Sequence, residues 1–338
     1  MTGFFMNILN WIYSWLGNYG WSVVLFTLFI RLILLPLDIK SKKSMRAMTK
    51  VQPKMQALQA KYANDKEKLN QKMMELYKKE HVSPTAGCLP MLISLPILFI
   101  MFSAMRTVGD EHTVQMILDM KNGIAPRMDH WLWIKNVFQP DSITTQLPIV
   151  AASAQTALRT IRASAHSSIL TEENLAAARE FLASAEYSAM AAPYMPAAAF
   201  HRVSLNLLFF QPSLLLPTSL GNLFKYSNGY FILPILAAVS QFFMTKIMNG
   251  KQTPEQKAAQ EAQAQDQTNP MNSPVMKWFF PIFSLWICAT SNAAFSIYWM
   301  AANVIQIVQQ VAVNAWFERQ DRKEAEAAKA KESDQLTL

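Results

Sequence analysis

The sequence predicts an all-α polytopic membrane protein, with five transmembrane helices around a hydrophilic groove and a cytoplasmic helical hairpin. Three observations carry this reading. Of 338 residues 51% are hydrophobic and only 16% charged, and mean hydropathy is +0.10, too apolar for an average soluble domain. Five apolar runs, 20–37, 88–106, 229–248, 275–291 and 294–315, approach the roughly 20 residues that cross a bilayer core. The first run, in the stretch "FTLFIRLILLPL", carries a charged residue, Arg31, that requires polar surroundings inside the bundle.

Residues 1–19 have no basic residue ahead of their apolar part, so a cleavable signal peptide is not expected. Phe4, Phe5, Trp11, Tyr13 and Trp15 instead predict an interfacial amphipathic helix that feeds the first span, 20–37. The segment 38–87 carries twelve Lys/Arg between Asp38 and Glu80, which makes it cytoplasmic by the positive-inside rule. The N-terminus is then outside, and five spans return the C-terminus to the cytoplasm.

Within 38–87, Met48, Val51, Met55, Leu58 and Tyr62 step by 3 and 4, and Leu69, Met73 and Leu76 answer them across "YANDKEK". That spacing predicts the seam of an antiparallel helical hairpin. Pro53 is expected to kink or break its first arm. The basic residues, among them Lys50, Lys54, Lys61 and Lys72, allow two readings: a solvated handle whose charges set topology, or a docking surface for an acidic or hydrophobic partner such as ribosomal RNA or an emerging chain.

After the second span, 88–106, the loop 107–228 is expected outside. From residue 109 onward it holds eight Lys/Arg against nine Asp/Glu. Its "HWLWIKNVFQPDS" predicts a segment at the outer interface, and "ILTEENLAAAREFLASAEYS" a helix with a Thr/acidic start. The third span is 229–248. The Gln/Ala-rich stretch 249–274 reads as a cytoplasmic linker. Spans four and five, 275–291 and 294–315, flank "TSNAA", and the tail 316–338 mixes both charge signs as a solvated helix or disordered end.

The motifs of common chemistries are missing: no Gly-rich phosphate loop with its Lys, no H-E-x-x-H and no C-x-x-C. His81, His112, His130, His166 and His201 lie outside the spans, which contain no Asp or Glu either. A membrane protease needs a nucleophile and base or a metal set within its spans, so an enzyme, a metal centre and a cofactor are not expected. Cys88 and Cys288 read as small packing residues. The spans do hold neutral polar groups, including Ser94, Ser240, Gln241, Ser284, Asn303, Gln306, Gln309 and Gln310, whose ordinary role is helix–helix adhesion.

Arg31 is different, because a charge at the centre of a span costs about 2.5–3.5 kcal/mol. It lies seven residues from Asp38, roughly 10 Å at 1.5 Å per residue. Snorkelling to the cytoplasmic edge is one explanation and a hydrated cavity open to the cytoplasm the other. The second accounts better for a charge this deep.

The order "IRLILLPL", then "VQPKMQALQAKYANDKEKLNQKMMELYKKEHVSPTAGCLPMLISLPI", then "WLWIKN", "ILPILAAVSQFF" and "MKWFFPIFSLWI…SIYWMAANVIQIVQQ" resembles the YidC/Oxa1/Alb3 family of membrane protein insertases, in its short five-span bacterial form. The resemblance leaves out 150–220, the linker and the tail. It implies a groove closed to the outside and open to the cytoplasm and to lipid, with Arg31 at its centre and Gln241 and Trp299 lining it. Ser94 stands where many members carry Gln. The implied partners are nascent membrane proteins, lipid, the ribosome and the general Sec translocon, with no direct DNA binding. The near-neutral tail departs from the basic tails with which family members hold ribosomes. A solute transporter using Arg31 as an anion site, or an assembly scaffold, are the readings from other classes. No second copy of the arginine span supports the first of these.

Overall fold

The computed structural model describes residues 2–82, 89–145, 158–159, 161–164, 167–194, 196–204, 213–248 and 274–336. The helices are α1 (Thr2–Leu16), α2 (Tyr19–Lys61), α3 (Lys66–Lys79), α4 (Leu89–Lys121), α5 (Glu172–Leu182), α6 (Ala185–Ala191), α7 (Leu220–Tyr226), α8 (Ile232–Met248), α9 (Pro274–Thr290) and α10 (Ala293–Leu336). A two-stranded antiparallel hairpin, β1 (Phe200–Ser204) and β2 (Ser213–Pro217), amends the all-α expectation: the fold is mostly helical. Its register pairs Phe200 with Pro217 and Ser204 with Ser213, so the proline closes the end of a strand, where a missing N–H costs little.

Among the described residues, Tyr19–Met48 of α2 is the helix long and apolar enough to cross a membrane, while Ile232–Ile247 and Trp278–Thr290 are shorter apolar helices. The chain divides into two compact units, Met1–Leu28 with Met101–Val311, and Phe29–Ile100 with Ala312–Leu338.

In the first unit α1 is amphipathic as its sequence predicts. Met6, Leu9 and Ile12 are buried on one face while Phe4, Trp11 and Trp15 stay exposed. Gly17, at φ +61°, ends it by donating its N–H to the Tyr13 carbonyl at 2.8 Å, the left-handed step a glycine takes without strain. The helix α5 also forms where its cap predicts: Thr171 accepts from the Asn174 N–H, and Glu172 and Glu173 occupy the positive first turn. Its Leu175, Ala178, Phe181 and Leu182 close a core with Val114, Ile117 and Met120 of α4 and with Tyr187 of α6. This core seats part of the segment left out by the family resemblance, as a small domain, on the end of α4.

The segment 131–142 is largely buried within the first unit. Trp131, Ile134, Asn136, Val137, Gln139 and Asp141 are all buried, because this stretch ties helix starts together. Asn18, which caps α2 by accepting from the Trp21 N–H, donates to the His130 carbonyl. Asp141 accepts from Tyr230, Phe231 and Leu233 at the start of α8. The Val137 and Gln139 carbonyls accept from Ala294 and Ala293 at the start of α10. Asn292, inside "TSNAA", caps α10 through the Phe295 N–H and donates to the Met105 carbonyl of α4. One end of the helical unit is thus closed by a polar loop whose backbone and Asp141 carboxylate bond the helix starts.

In the second unit α2 runs from its apolar part straight into the first arm of the hairpin, so the boundary expected at residue 38 is not a break in secondary structure. Pro36 and Pro53 both lie inside this helix, and the break allowed for at Pro53 does not occur. A proline deletes one N–H and crowds the turn before it, while the flanking turns keep their own bonds. The hairpin seam holds the arm in place: Val51 is buried and Met55, Leu58, Tyr62, Leu69, Met73 and Leu76 are half-buried. Asp65 caps α3 by accepting from the Lys68 N–H. The tail is no separate element, since α10 continues through it to Leu336. Arg46 of α2 pairs with Asp321 of α10 and stacks its guanidinium 4.6 Å from the Phe317 ring. The expected linker 249–274 and Cys88 lie outside the described residues, apart from Pro274.

Candidate functional site

Arg31 sits in α2 on a half-buried face. Stepping by 3, 4 and 3, that face continues through Leu34, Asp38 and Ser41, the last buried. Phe29, Leu32 and Ile33 are exposed on the opposite side, an apolar stripe suited to lipid. Arg31 therefore lies on a different face of α2 from this apolar stripe. Asp38 and Arg31 interact electrostatically along this face.

Gln241 and Trp299 belong to the first unit, on α8 and α10. Gln241 is half-buried. Ser240 beside it is buried and accepts from Asn303 Nδ2 of α10 at 3.1 Å, donating in turn to the Ala237 carbonyl. Trp299 donates its indole N–H to Ser284 Oγ of α9 at 3.1 Å and packs against Phe283 and Phe295. Phe242 of α8 stacks on Trp278 of α9. These contacts knit α8, α9 and α10 together and put Gln241 and Trp299 on neighbouring helices. Ser94 falls in α4, but its side chain lies outside the described residues.

The hairpin lysines differ among themselves. Lys54 pairs with Glu80 at 2.6 Å, and this hydrogen bond holds the Glu80 carboxyl below its usual range. Lys72 pairs with Glu75 at 2.7 Å. Lys50 is exposed, and Lys61 is exposed with its ammonium 5.6 Å from the Tyr62 ring centroid. Two of these charges thus have carboxylate partners on the hairpin itself.

The family model described as "60Kd inner membrane protein" matches residues 11–210 and 211–321. The chain belongs to the YidC/Oxa1/Alb3 family. Relatives named membrane protein insertase YidC include that of Fusobacterium nucleatum, 41% identical over 128 residues, which are 38% of this chain and 55% of that protein. The protein of Wolinella succinogenes is 46% identical over 95 residues, 28% of this chain and 18% of that one. That of Chlorobaculum tepidum is 25% identical over 311 residues, 91% of this chain and 35% of its own length. The chain thus spans about half the length of the Fusobacterium relative and a smaller part of the others. Membership places it among bacterial membrane proteins.

The features that sequence reading missed in this family member are the buried loop 131–142 and its partner Asn228, which lies outside every expected span. The clue available was "NGYF" at the start of the third run, an Asn-Gly pair placed to end a loop.

Proposed function

We propose that this protein is a membrane protein insertase and chaperone that moves nascent hydrophobic segments from the cytoplasm into the bilayer through a hydrated, laterally open groove. The observation that carries the reading is Arg31, a charge within the apolar part of α2, turned away from the exposed stripe of Phe29, Leu32 and Ile33. Family membership supports it.

In this reading five helices span the membrane, α2, α4, α8, α9 and α10, with the N-terminus outside and the C-terminus cytoplasmic. At 17 residues each, α8 and α9 are about 25 Å long, short for a 30 Å core, which favours a locally thinned bilayer. A short hydrophilic segment of the substrate rests near Arg31, which shortens the low-dielectric distance it must cross. Gln241, Trp299 and Ser94 contribute to the path. The following hydrophobic segment partitions into lipid, driven by about 25 cal/mol per Å² of buried apolar area. The membrane potential adds roughly 2.3 kcal/mol per charge per 100 mV. The basic hairpin, through Lys50, Lys54, Lys61 and Lys72, receives the substrate or contacts the ribosome and the Sec translocon.

The test is insertion of a short single-span substrate into liposomes holding only this protein. Native chain and Arg31→Lys should insert it, and Arg31→Ala should do so several-fold more slowly. Insertion no greater than in empty liposomes would remove the proposal, and an unimpaired Arg31→Ala would remove the role of the charge.

A further inference from the structure

Trp131 and Ile134 exchange backbone hydrogen bonds of 2.8 Å in each direction, which closes a two-residue turn with Leu132 and Trp133 at its tip. Leu132 stands at φ +50°, in the left-handed region where such turns ordinarily place glycine, and it is 60% exposed. A strained backbone that holds a leucine outward suits water poorly. Just past the turn, Lys135 Nζ donates to the Phe224 and Lys225 carbonyls at 2.7 and 2.6 Å. This cation satisfies the C-terminal end of α7 and fixes the helix beside the turn. On α7, Leu220 and Phe224, 74% and 57% exposed, lie four residues apart and share a face. The level of the patch is set by α2. Trp21, in the first turn of this membrane-crossing helix, is 49% exposed and packs edge-on against Trp131 at 5.5 Å. Tryptophan gathers where the bilayer begins. From Trp21 through Trp131 and Lys135 to α7, printed contacts therefore link the patch to the point where α2 enters the membrane.

We propose that the Leu132 turn and α7 form one interfacial anchor, separate from α1, that dips into the lipid leaflet where α2 begins. Leu132, Leu220 and Phe224 enter the upper acyl region, and the strain at Leu132 is offset by taking its side chain out of water. Lys225, its ammonium 5.1 Å from the Tyr226 ring centroid, stays at headgroup level. Lipid is the occupant because the patch is continuous with the membrane entry of α2 and consists of three separate apolar tips, not one broad face. The anchor also steadies the chain that precedes it. β2 ends at Pro217, and the next N–H, that of Thr218, donates to the Ala199 carbonyl at 2.9 Å, tying the start of α7 to the stretch that follows α6. The inference rests on α2 crossing the bilayer and not on insertase activity, so the two readings fail separately.

The experiment uses the full chain in nanodiscs of phosphatidylethanolamine and phosphatidylglycerol, with a benzophenone amino acid placed in turn at Leu132, at Phe224 and, as reference, at Glu180 on the exposed side of α5. After irradiation, mass spectrometry should find lipid adducts at the first two positions several-fold above those at Glu180. Labelling at Leu132 and Phe224 no higher than at Glu180 would overturn the proposal. In cells the same positions should again take lipid, and adducts to polypeptide in its place would assign the patch to a protein partner instead. Leu132→Gly frees the left-handed backbone, so the unfolding temperature in micelles should hold or rise, which separates a lost anchor from a lost fold. Combined with Leu220→Ser, it should lower lipid labelling from position 224 several-fold in nanodiscs. Unchanged labelling there would show that the turn and α7 do not work as one anchor, and the proposal would fall. None of these readouts requires insertion.

Discussion

Asn228 and Asn136 exchange a pair of hydrogen bonds: the Asn136 N–H donates to Asn228 Oδ1 at 2.8 Å, and Asn228 Nδ2 donates back to the Asn136 carbonyl at 2.9 Å. Both residues are buried, and Asn228 Nδ2 also reaches the carbonyls of Gln139 and Pro140. The asparagine side chain thus imitates a strand edge and satisfies backbone that water cannot reach. Asn228→Ala leaves those groups unpaired and should cost roughly 3 kcal/mol. Asn228→Asp should cost more, since it aims a carboxylate at three carbonyls. Thermal unfolding in detergent micelles checks this, and an unchanged midpoint in both variants would refute it.

Asp141 completes the same junction. It takes three N–H groups at the start of α8, and Gly229 lies so close to its carboxylate that an added Cβ would collide with it. Asp141→Ala should destabilise by about 2–3 kcal/mol through lost caps and the lost helix-terminus charge. Gly229→Ala should be similarly harmful because it pushes the carboxylate out of place. The double variant should then fall short of the sum, since the collision vanishes with the carboxylate. Strict additivity in a denaturation series would show that the two sites act independently.

These junctions explain which parts of the fold were legible in the sequence. α1, the hairpin and α5 announce themselves locally, by the aromatic face around Trp11, the seam from Met48 to Leu76 and the Thr171 cap. The lengths of α2 and α10 were not legible. Charge begins at Asp38 and near Glu318, but a helix is indifferent to leaving the bilayer while its backbone bonds continue. The Asn136–Asn228 pair joins residues about 90 positions apart, and periodicity carries no information at such a separation. Arg31 could be singled out because its cost is local, whereas its relation to Asp38 needed the helix to continue past the apolar run.

His112 makes the closed end sensitive to acid. It stacks on Phe138 with ring centroids 4.2 Å apart, and its pKa is lowered to about 4, chiefly by burial and opposed by Asp119. The unfolded chain takes up this proton near the ordinary 6.5, so the histidine removes stability as pH falls from about 6.5 to 4, and nothing further below that. The full effect is about 3 kcal/mol. Asp110 works the other way: raised to about 6, its carboxyl adds stability as pH falls from about 6 to the ordinary 3.8. His112→Phe keeps the stack and removes the titration. Between pH 7 and 4.5 the variant should lose less stability than the native chain, and parallel pH profiles would rule the histidine out.

The buried bond from Asn303 to Ser240 fixes α8 against α10 next to Gln241, and it tests whether the polar groups of these helices act as adhesion or as substrate path. Ser240 also spends its own proton on the Ala237 carbonyl, so it has an oxygen ready for Asn303 without rearrangement. Interhelical bonds in membranes are worth about 0.6 kcal/mol on average and up to about 2. Ser240→Ala and Asn303→Ala should therefore show a coupling of about 1 kcal/mol in a double-mutant cycle of unfolding in micelles. Asn303→Leu should lose the coupling while its packing volume persists. Gln241→Leu, on the neighbouring half-buried position, should leave stability nearly unchanged and lower insertion in the liposome assay. If Gln241→Leu unfolds the protein as readily as Asn303→Ala does, Gln241 belongs with the adhesive residues and its role in the substrate path falls.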